Sequence, residues 1–213
     1  MPIVARIITY WFAAVYSSLP RMSQAPTRTV DFFDILSADL ARLRDITQRR
    51  FRPLTDDQLN RRPGPGKWSV GQCLDHLNII GGHYLPIITH KLQQAQQRKS
   101  KPAETVKHGF IGRKMTEAMR TPPSQKVMKA PQQYAPSGSR LPRTVVEVFS
   151  RQLDELEQLL KQARRVNANA VRIPNPIIPL LWPRLPDVAE MLIEHAKRHV
   201  AQAERVLDSK LRV

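Results

Sequence analysis

The sequence predicts an all-α protein, an antiparallel four-helix bundle with long connections. Four segments place apolar residues three and four positions apart, which is the pattern of one apolar stripe along a helix. No segment shows strand-like alternation of any length, and no internal repeat of fixed period is present. Bundles with long connections commonly build ligand and metal sites between facing helices.

Length and composition fit one globular domain with an added N-terminal segment. The chain has 213 residues, of which 41% are hydrophobic and 24% charged, enough to bury a substantial core. We expect residues 27–213 to form the bundle domain and residues 1–26 to be an extension outside it. The extension holds a short apolar run, Ile7 to Leu19, that is too short to span a membrane. Three interpretations stay open for residues 1–21: sequence upstream of a true start at Met22, a signal peptide or anchor, and a genuine cytoplasmic extension.

The first two helical segments have different start signals. Residues 27–51 form the first segment, whose stripe is made by Phe33, Leu36, Leu40 and Leu43. The second segment begins at a capping box, with Ser69 as N-cap and Gln72 three residues later. Trp68 and Cys73 are placed to form the accompanying hydrophobic staple.

Two glycines and a proline interrupt the second segment. Gly81, Gly82 and Pro86 lie inside its apolar pattern, so we expect a kink or a break there. Cys73 lies on the apolar stripe, and we interpret it as a core residue rather than a nucleophile. Because it is the single cysteine, no intramolecular disulfide is possible, which suits a reducing compartment.

The third and fourth helices follow a long basic linker. Residues 98–142 are rich in Pro, Lys and Ser, with one short predicted helix over residues 109–120. The third long helix covers residues 143–165. The fourth is predicted from Asp187 to Lys210, opened by Asp187 and Glu190 in a second cap.

The charge of the chain is strongly basic and unevenly distributed. The formal net charge is +16, and the stretch Arg98–Arg143 holds eleven basic and two acidic residues, a net charge of +9. Such a surface attracts nucleic acid, anionic lipid or small acidic ligands. Only Phe110 and Tyr134 interleave with the basic residues of the linker, which is a weak pattern for single-stranded nucleic acid. We therefore disfavour nucleic acid as a partner, and we expect a small-molecule substrate.

The last helix carries two histidines one turn apart. His195 and His199 repeat in step with the apolar stripe, so both rings point the same way and can bind one ion. A catalytic zinc site usually has three protein ligands, so a third is expected from another helix. His76, His83 and His90 lie in the second segment, and the pattern leaves His76 and His83 as equal candidates.

These motifs resemble those of the DinB-like superfamily of four-helix proteins, which includes bacillithiol transferases and mycothiol-dependent isomerases. The resemblance rests on the stretch PGKWSVGQCLDHL and, far downstream, EHAKRHVAQ, and it covers roughly Phe32 to Val206. It implies a divalent metal, zinc or nickel, held by His76, His195 and His199. It also implies a bacterial protein and the possibility of a homodimer.

The function that the resemblance implies is metal-dependent transfer of a low-molecular-weight thiol to an electrophilic substrate. Such a metal would favour the thiolate, and the basic linker could hold the carboxylates of the thiol. Asp75 and Gln202 are candidates for orienting an imidazole or a bound water. The residue after His195 is Ala196, so the general base of H-E-x-x-H peptidases is missing.

Two alternatives remain beside thiol transfer. One is a metal-dependent hydrolase, and the other is a non-enzymatic protein that binds a metal, a ligand or nucleic acid. We expect a cytoplasmic protein without stable membrane insertion, unless residues 1–21 act as a signal peptide or anchor.

Overall fold

The computed structural model describes residues 27–120, 130–176, 178 and 180–209. The expected extension at residues 1–26 therefore lies outside the described residues. Within them, six α-helices form: α1 (Thr29–Ile46), α2 (Asp56–Asn60), α3 (Val70–Gln97), α4 (Phe110–Met119), α5 (Thr144–Ala163) and α6 (Leu185–Asp208). No strand forms in this part of the chain, and only two isolated β-bridges occur. The predicted all-α class is confirmed.

The four long helices pack in a ring around one core. Helix α3 packs against α5 and α6, and α1 packs against the same two helices from the other side. The short helix α4, at the position predicted for the linker, packs on the outside of α6. The predicted stripes are buried in this core, which includes the side chains of Phe33, Leu40, Leu74, Ile88, Leu160 and Val188.

Contacts along the helices show which neighbours run parallel. Asn78 bonds to the carbonyl of Val145 near the start of α3 and α5, and Gln96 bonds to Gln162 near their ends, so these two helices are parallel. In contrast, Arg44 pairs with Asp154 and Arg164 with Asp34, so α1 and α5 are antiparallel. Asp39 pairs with Lys197, and Arg50 just after α1 pairs with Glu204, so α1 and α6 are parallel too, and the bundle contains two parallel pairs of neighbours. A parallel pair requires the chain to return along the bundle, which is why residues 98–143 form so long a connection.

Helix α3 continues through the two glycines and the proline at which a kink or a break was expected. It runs unbroken from Val70 to Gln97 through Gly81, Gly82 and Pro86. The part of the prediction that placed a break here is wrong. A Cβ at Gly81 would overlap the side-chain amide of Gln152 on α5, so a larger residue here would require that side chain to move. The glycine is therefore explained by packing rather than by a helix end.

The predicted cap of the last helix is also wrong. Helix α6 begins at Leu185, with Pro186 in its first turn, where the fixed φ of proline suits the helix. Asp187 is buried inside that turn. Its carboxylate accepts hydrogen bonds from His108 Nδ1 at 2.9 Å and from the backbone N–H of Gly109 at 3.0 Å. Asp187 therefore holds the start of α4 against α6 instead of capping its own helix.

Candidate metal centre

The first part of the centre is set by the capping box at the start of α3. Ser69 Oγ accepts the Gln72 N–H, and the Gln72 side chain accepts the Ser69 N–H, each at 3.2 Å. The box was predicted from the sequence, and it is confirmed. Because it fixes where α3 begins, it also fixes which face of the helix carries His76. That face is buried against α6.

The three predicted histidines come together between α3 and α6. Their possible ligand atoms all lie within 4.8 Å of one another. The ring centroid of His76 lies 5.0 Å from that of His195 and 4.7 Å from that of His199. The centroids of His195 and His199 are 4.7 Å apart. The Nε2 atoms of His76 and His195 are 3.2 Å apart. The spatial cluster expected from the sequence is therefore present.

Two hydrogen bonds select the tautomers of the imidazoles. His76 Nδ1 donates to the backbone carbonyl of Tyr134 at 2.6 Å, and His199 Nδ1 donates to Gln202 Oε1 at 3.1 Å. In a neutral imidazole the other ring nitrogen then carries the free lone pair. Both histidines consequently have Nε2 available as a ligand atom. Gln202, a predicted orienting residue, makes the contact that this role needs.

Burial keeps the three imidazoles neutral. It is the main cause that lowers the pKa of His76, against the smaller opposing effects of the Tyr134 carbonyl and of Asp75. Burial also lowers the pKa of His195 well below its usual value, with added repulsion from His199, His76 and Arg198. For His199, burial together with His76 and Arg198 lowers the pKa to about 3. Neutral imidazoles are the form that binds metals.

The donor set fits a divalent metal such as zinc or nickel. Nitrogens that share a tetrahedral zinc at about 2.0–2.1 Å lie about 3.3 Å apart, close to the 3.2 Å between His76 and His195. Imidazole is a suitable ligand for both zinc and nickel. Among the described residues, no carboxylate or thiol joins this group of three.

Trp68 forms an aromatic wall beside the cluster. Its ring lies 5.7 Å from that of His199 in a stacked arrangement and 5.1 Å from that of His76. The sequence suggested only a hydrophobic staple for this residue. Trp68 comes just before the N-cap and eight residues, about two helical turns, before His76, so its ring lies at the same end of α3 as the imidazoles.

Asp75 makes its hydrogen bonds to the linker rather than to an imidazole. Its Oδ2 accepts hydrogen bonds from the N–H and the hydroxyl of Ser137, at 2.7 and 2.9 Å. Ser137 lies three residues after Tyr134, whose carbonyl holds His76. Tyr134 was missed as a site residue, since a backbone carbonyl leaves no signal in residue type.

The other candidates of the second segment lie away from the cluster. His83 is exposed, with its ring 5.3 Å from that of Tyr134, and the exposed His90 bonds to Gln94. Between His76 and His83, which the sequence pattern could not separate, the structure brings only His76 to the pair on α6.

Comparison with known proteins gives the family. A family model described as DinB superfamily matches residues 39–203, which is most of the chain. The chain belongs to the DinB superfamily. The match spans the helices that carry the three histidines, so this member has the cluster inside its family domain. No curated protein and no solved structure matches the chain. Separately, no helix among the described residues is both long and apolar enough to cross a membrane.

Proposed function

We propose that this DinB superfamily member is a metal-dependent enzyme that transfers a low-molecular-weight thiol to an electrophilic substrate. In this proposal His76, His195 and His199 hold a divalent zinc or nickel ion. One observation carries it: three imidazoles meet between α3 and α6, and their possible ligand atoms all lie within 4.8 Å of one another.

Each residue of the centre has a distinct part in the proposal. A divalent metal held by neutral ligands supplies Lewis acidity and lowers the pKa of a thiol or water bound to it. The Tyr134 carbonyl and Gln202 keep the Nε2 lone pairs of His76 and His199 free. Trp68 covers one side of the imidazoles and limits the access of water there. Arg198 adds positive charge beside His195 and His199, which favours an anionic substrate group.

The thiol must come from outside the chain. Cys73 is the only cysteine, and its side chain is fully buried. Burial raises the pKa of its thiol to about 12, so the nucleophilic thiolate is scarce at neutral pH. Hydrolysis is less favoured, because no carboxylate of the described residues belongs to the cluster as a general base.

Metal content tests the centre itself. We expect about one equivalent of zinc or nickel in protein purified without a histidine tag, and none in the double variant His195→Ala, His199→Ala. The matched control is His83→Ala, His90→Ala, which removes two exposed histidines and should keep the metal. A parent protein that neither contains nor takes up metal on titration would refute the metal site.

Turnover of the metal-loaded protein tests the reaction. We expect conjugation of an electrophile such as chlorodinitrobenzene with at least one of a panel of small thiols, including bacillithiol and mycothiol. Ester or amide hydrolysis without added thiol would instead indicate a hydrolase. Metal binding without either activity would indicate a binding protein. Salt-sensitive binding of DNA or RNA that is lost on neutralising Arg113, Lys114 and Arg120 would indicate a nucleic-acid-binding function.

A further inference from the structure

An open cleft lies at the opposite end of the bundle from the three clustered histidines. Three connections meet there: residues 103–107 after α3, residues 167–170 after α5, and Arg184 just before α6. They line an open cleft of about 490 Å³. His195 lies ten residues after the start of α6, which is about 15 Å along the helix. The cleft is therefore separate from the proposed metal centre.

Hydrogen bonds hold the walls of the cleft in place. Asn169 Oδ1 accepts the backbone N–H of Lys107, and Asn169 Nδ2 donates to the carbonyl of Thr105, both at 2.8 Å. Arg184 donates to the carbonyl of Asn169 at 3.3 Å, so all three connections are joined. The carbonyl of Ala103 accepts the hydroxyl of Thr29 at 2.6 Å, which ties the cleft to α1. A preformed wall reduces the ordering cost of binding.

Two residues that line the cleft, Lys107 and Arg184, carry positive charges without an ion-pair partner among the described residues. The Nε of Arg184 and the Oδ1 of Asn167 are both buried without a hydrogen-bond partner. No carboxylate of the described residues lies within ion-pair distance of the exposed Lys107 or of Arg184, although many other basic side chains of this protein are paired. Those two buried atoms have no surface open to the cleft, so an anion would be held by Lys107 and by the terminal nitrogens of Arg184.

We propose that this cleft binds a small molecule that carries a carboxylate or phosphate next to a hydrogen-bond donor. Lys107 and Arg184 would hold the oxyanion, with the planar guanidinium suited to a carboxylate or phosphate oxygen pair. Glu104 also lines the cleft, and its carboxylate would accept from the neighbouring donor, a hydroxyl or an amine, which favours such a ligand over a bare multiply charged anion.

Isothermal titration of the full chain with malate and with glycerol 3-phosphate tests the site. The two probes separate a carboxylate ligand from a phosphate ligand, and binding of either supports the proposal. Replacing Lys107→Gln or Arg184→Gln should weaken that binding by about tenfold or more, because each removes a charged donor to the oxyanion. Succinate lacks the hydroxyl of malate, and it should bind more weakly if Glu104 accepts from that group.

The controls separate the cleft from general electrostatics and from misfolding. Arg113→Gln makes the same change in net charge at an exposed position of α4 outside the cleft, and it should leave the affinity unchanged. The Lys107 side chain makes no ion pair in the described structure, so Lys107→Gln keeps the fold even if Arg184→Gln loosens it. The proposal is overturned if neither probe binds, or if Arg113→Gln weakens binding as much as Lys107→Gln does.

Discussion

The surroundings of the three clustered imidazoles disfavour their protonation. They leave the neutral form, which is the form that can bind a metal. Burial lowers the pKa of each, and mutual repulsion lowers it further for His195 and His199. In the unfolded chain the same side chains titrate near pH 6.5. Without a metal, the folded protein must therefore exclude protons that the unfolded chain accepts.

This difference predicts loss of stability in mild acid. A histidine with a lowered pKa leaves stability unaffected above pH 6.5, and stability falls as the pH drops below 6.5 towards the folded pKa. For His199 that window extends to about pH 3. We expect the free energy of unfolding of chelator-treated protein to fall below pH 6.5, by up to about 1.4 kcal/mol per pH unit for each such histidine.

Urea denaturation of the chelated protein between pH 7.5 and 4.5 measures this effect. The double variant His195→Gln, His199→Gln should show a shallower decline, whatever its stability at neutral pH. The exposed pair His83→Gln, His90→Gln should decline as the parent does. Equal slopes in the parent and in the His195 and His199 variant would contradict the assignment of the effect to the cluster.

At the scale of elements, the linker after α4 takes part in the centre through its backbone. The Tyr134 carbonyl orients His76, and the Tyr134 hydroxyl donates to the carbonyl of Pro176 at 3.1 Å. Asp75 fixes the linker three residues later through Ser137. Helix α3 and the linker thus hold each other in place at the site.

Removing this attachment should weaken metal binding without unfolding the protein. We expect Asp75→Ala to lower zinc affinity by about tenfold, because it frees the segment that carries the Tyr134 carbonyl, and groups that orient a metal-binding histidine typically contribute 10- to 100-fold. Competition with a chromophoric chelator measures the affinity. Asp57→Ala is the matched control, since Asp57 pairs with Arg140 further along the same linker at the surface. A loss as large in Asp57→Ala would show that linker mobility in general, and not Asp75, is responsible.

The packing of α4 on α6 depends on one glycine. A Cβ at Gly112 would overlap the side chain of Asp187, which is 1% exposed and fixed by His108 and Gly109. We expect Gly112→Ala to destabilise the protein by about 1–3 kcal/mol, the usual cost of overpacking.

The comparison for Gly112 is another helical glycine. A Cβ at Gly82 in α3 would meet nothing within 4 Å, so Gly82→Ala should stabilise the protein by about 0.5–1 kcal/mol. Urea denaturation of both variants at pH 7.5 measures the two effects. Similar changes in the two variants would contradict the role given to Asp187.

At the scale of the whole molecule, the sequence predicts what depends on local patterns. The capping box at Ser69 and the stripe on α3 set the register of His76, and the spacing of His195 and His199 places both on the inner face of α6. These signals were sufficient for the fold class and for the histidine cluster, with the family resemblance choosing between His76 and His83.

Features that depend on contacts between distant segments could not be predicted in this way. The Tyr134 carbonyl belongs to the backbone, which every residue shares, and Asp187 resembles an N-cap until its partner, His108, is known. The parallel pairing of α3 and α5 follows from the path of the linker. The cleft at the other end forms only where three connections meet.

The proposed metal would join two helices that are far apart in the chain, so it should stabilise the whole bundle. His76 is on α3, and the other two proposed ligands are on α6, the nearer of them, His195, 119 positions further along the chain. Binding to the folded state alone stabilises it by about 2.7 kcal/mol when free metal exceeds the dissociation constant 100-fold. We expect zinc or nickel added to chelated protein to raise the melting temperature at pH 7.5. The double variant His195→Ala, His199→Ala should show no rise, whereas His83→Ala, His90→Ala should match the parent. A rise of equal size in all three proteins would place the stabilising ion elsewhere on the surface and would contradict the three-histidine centre.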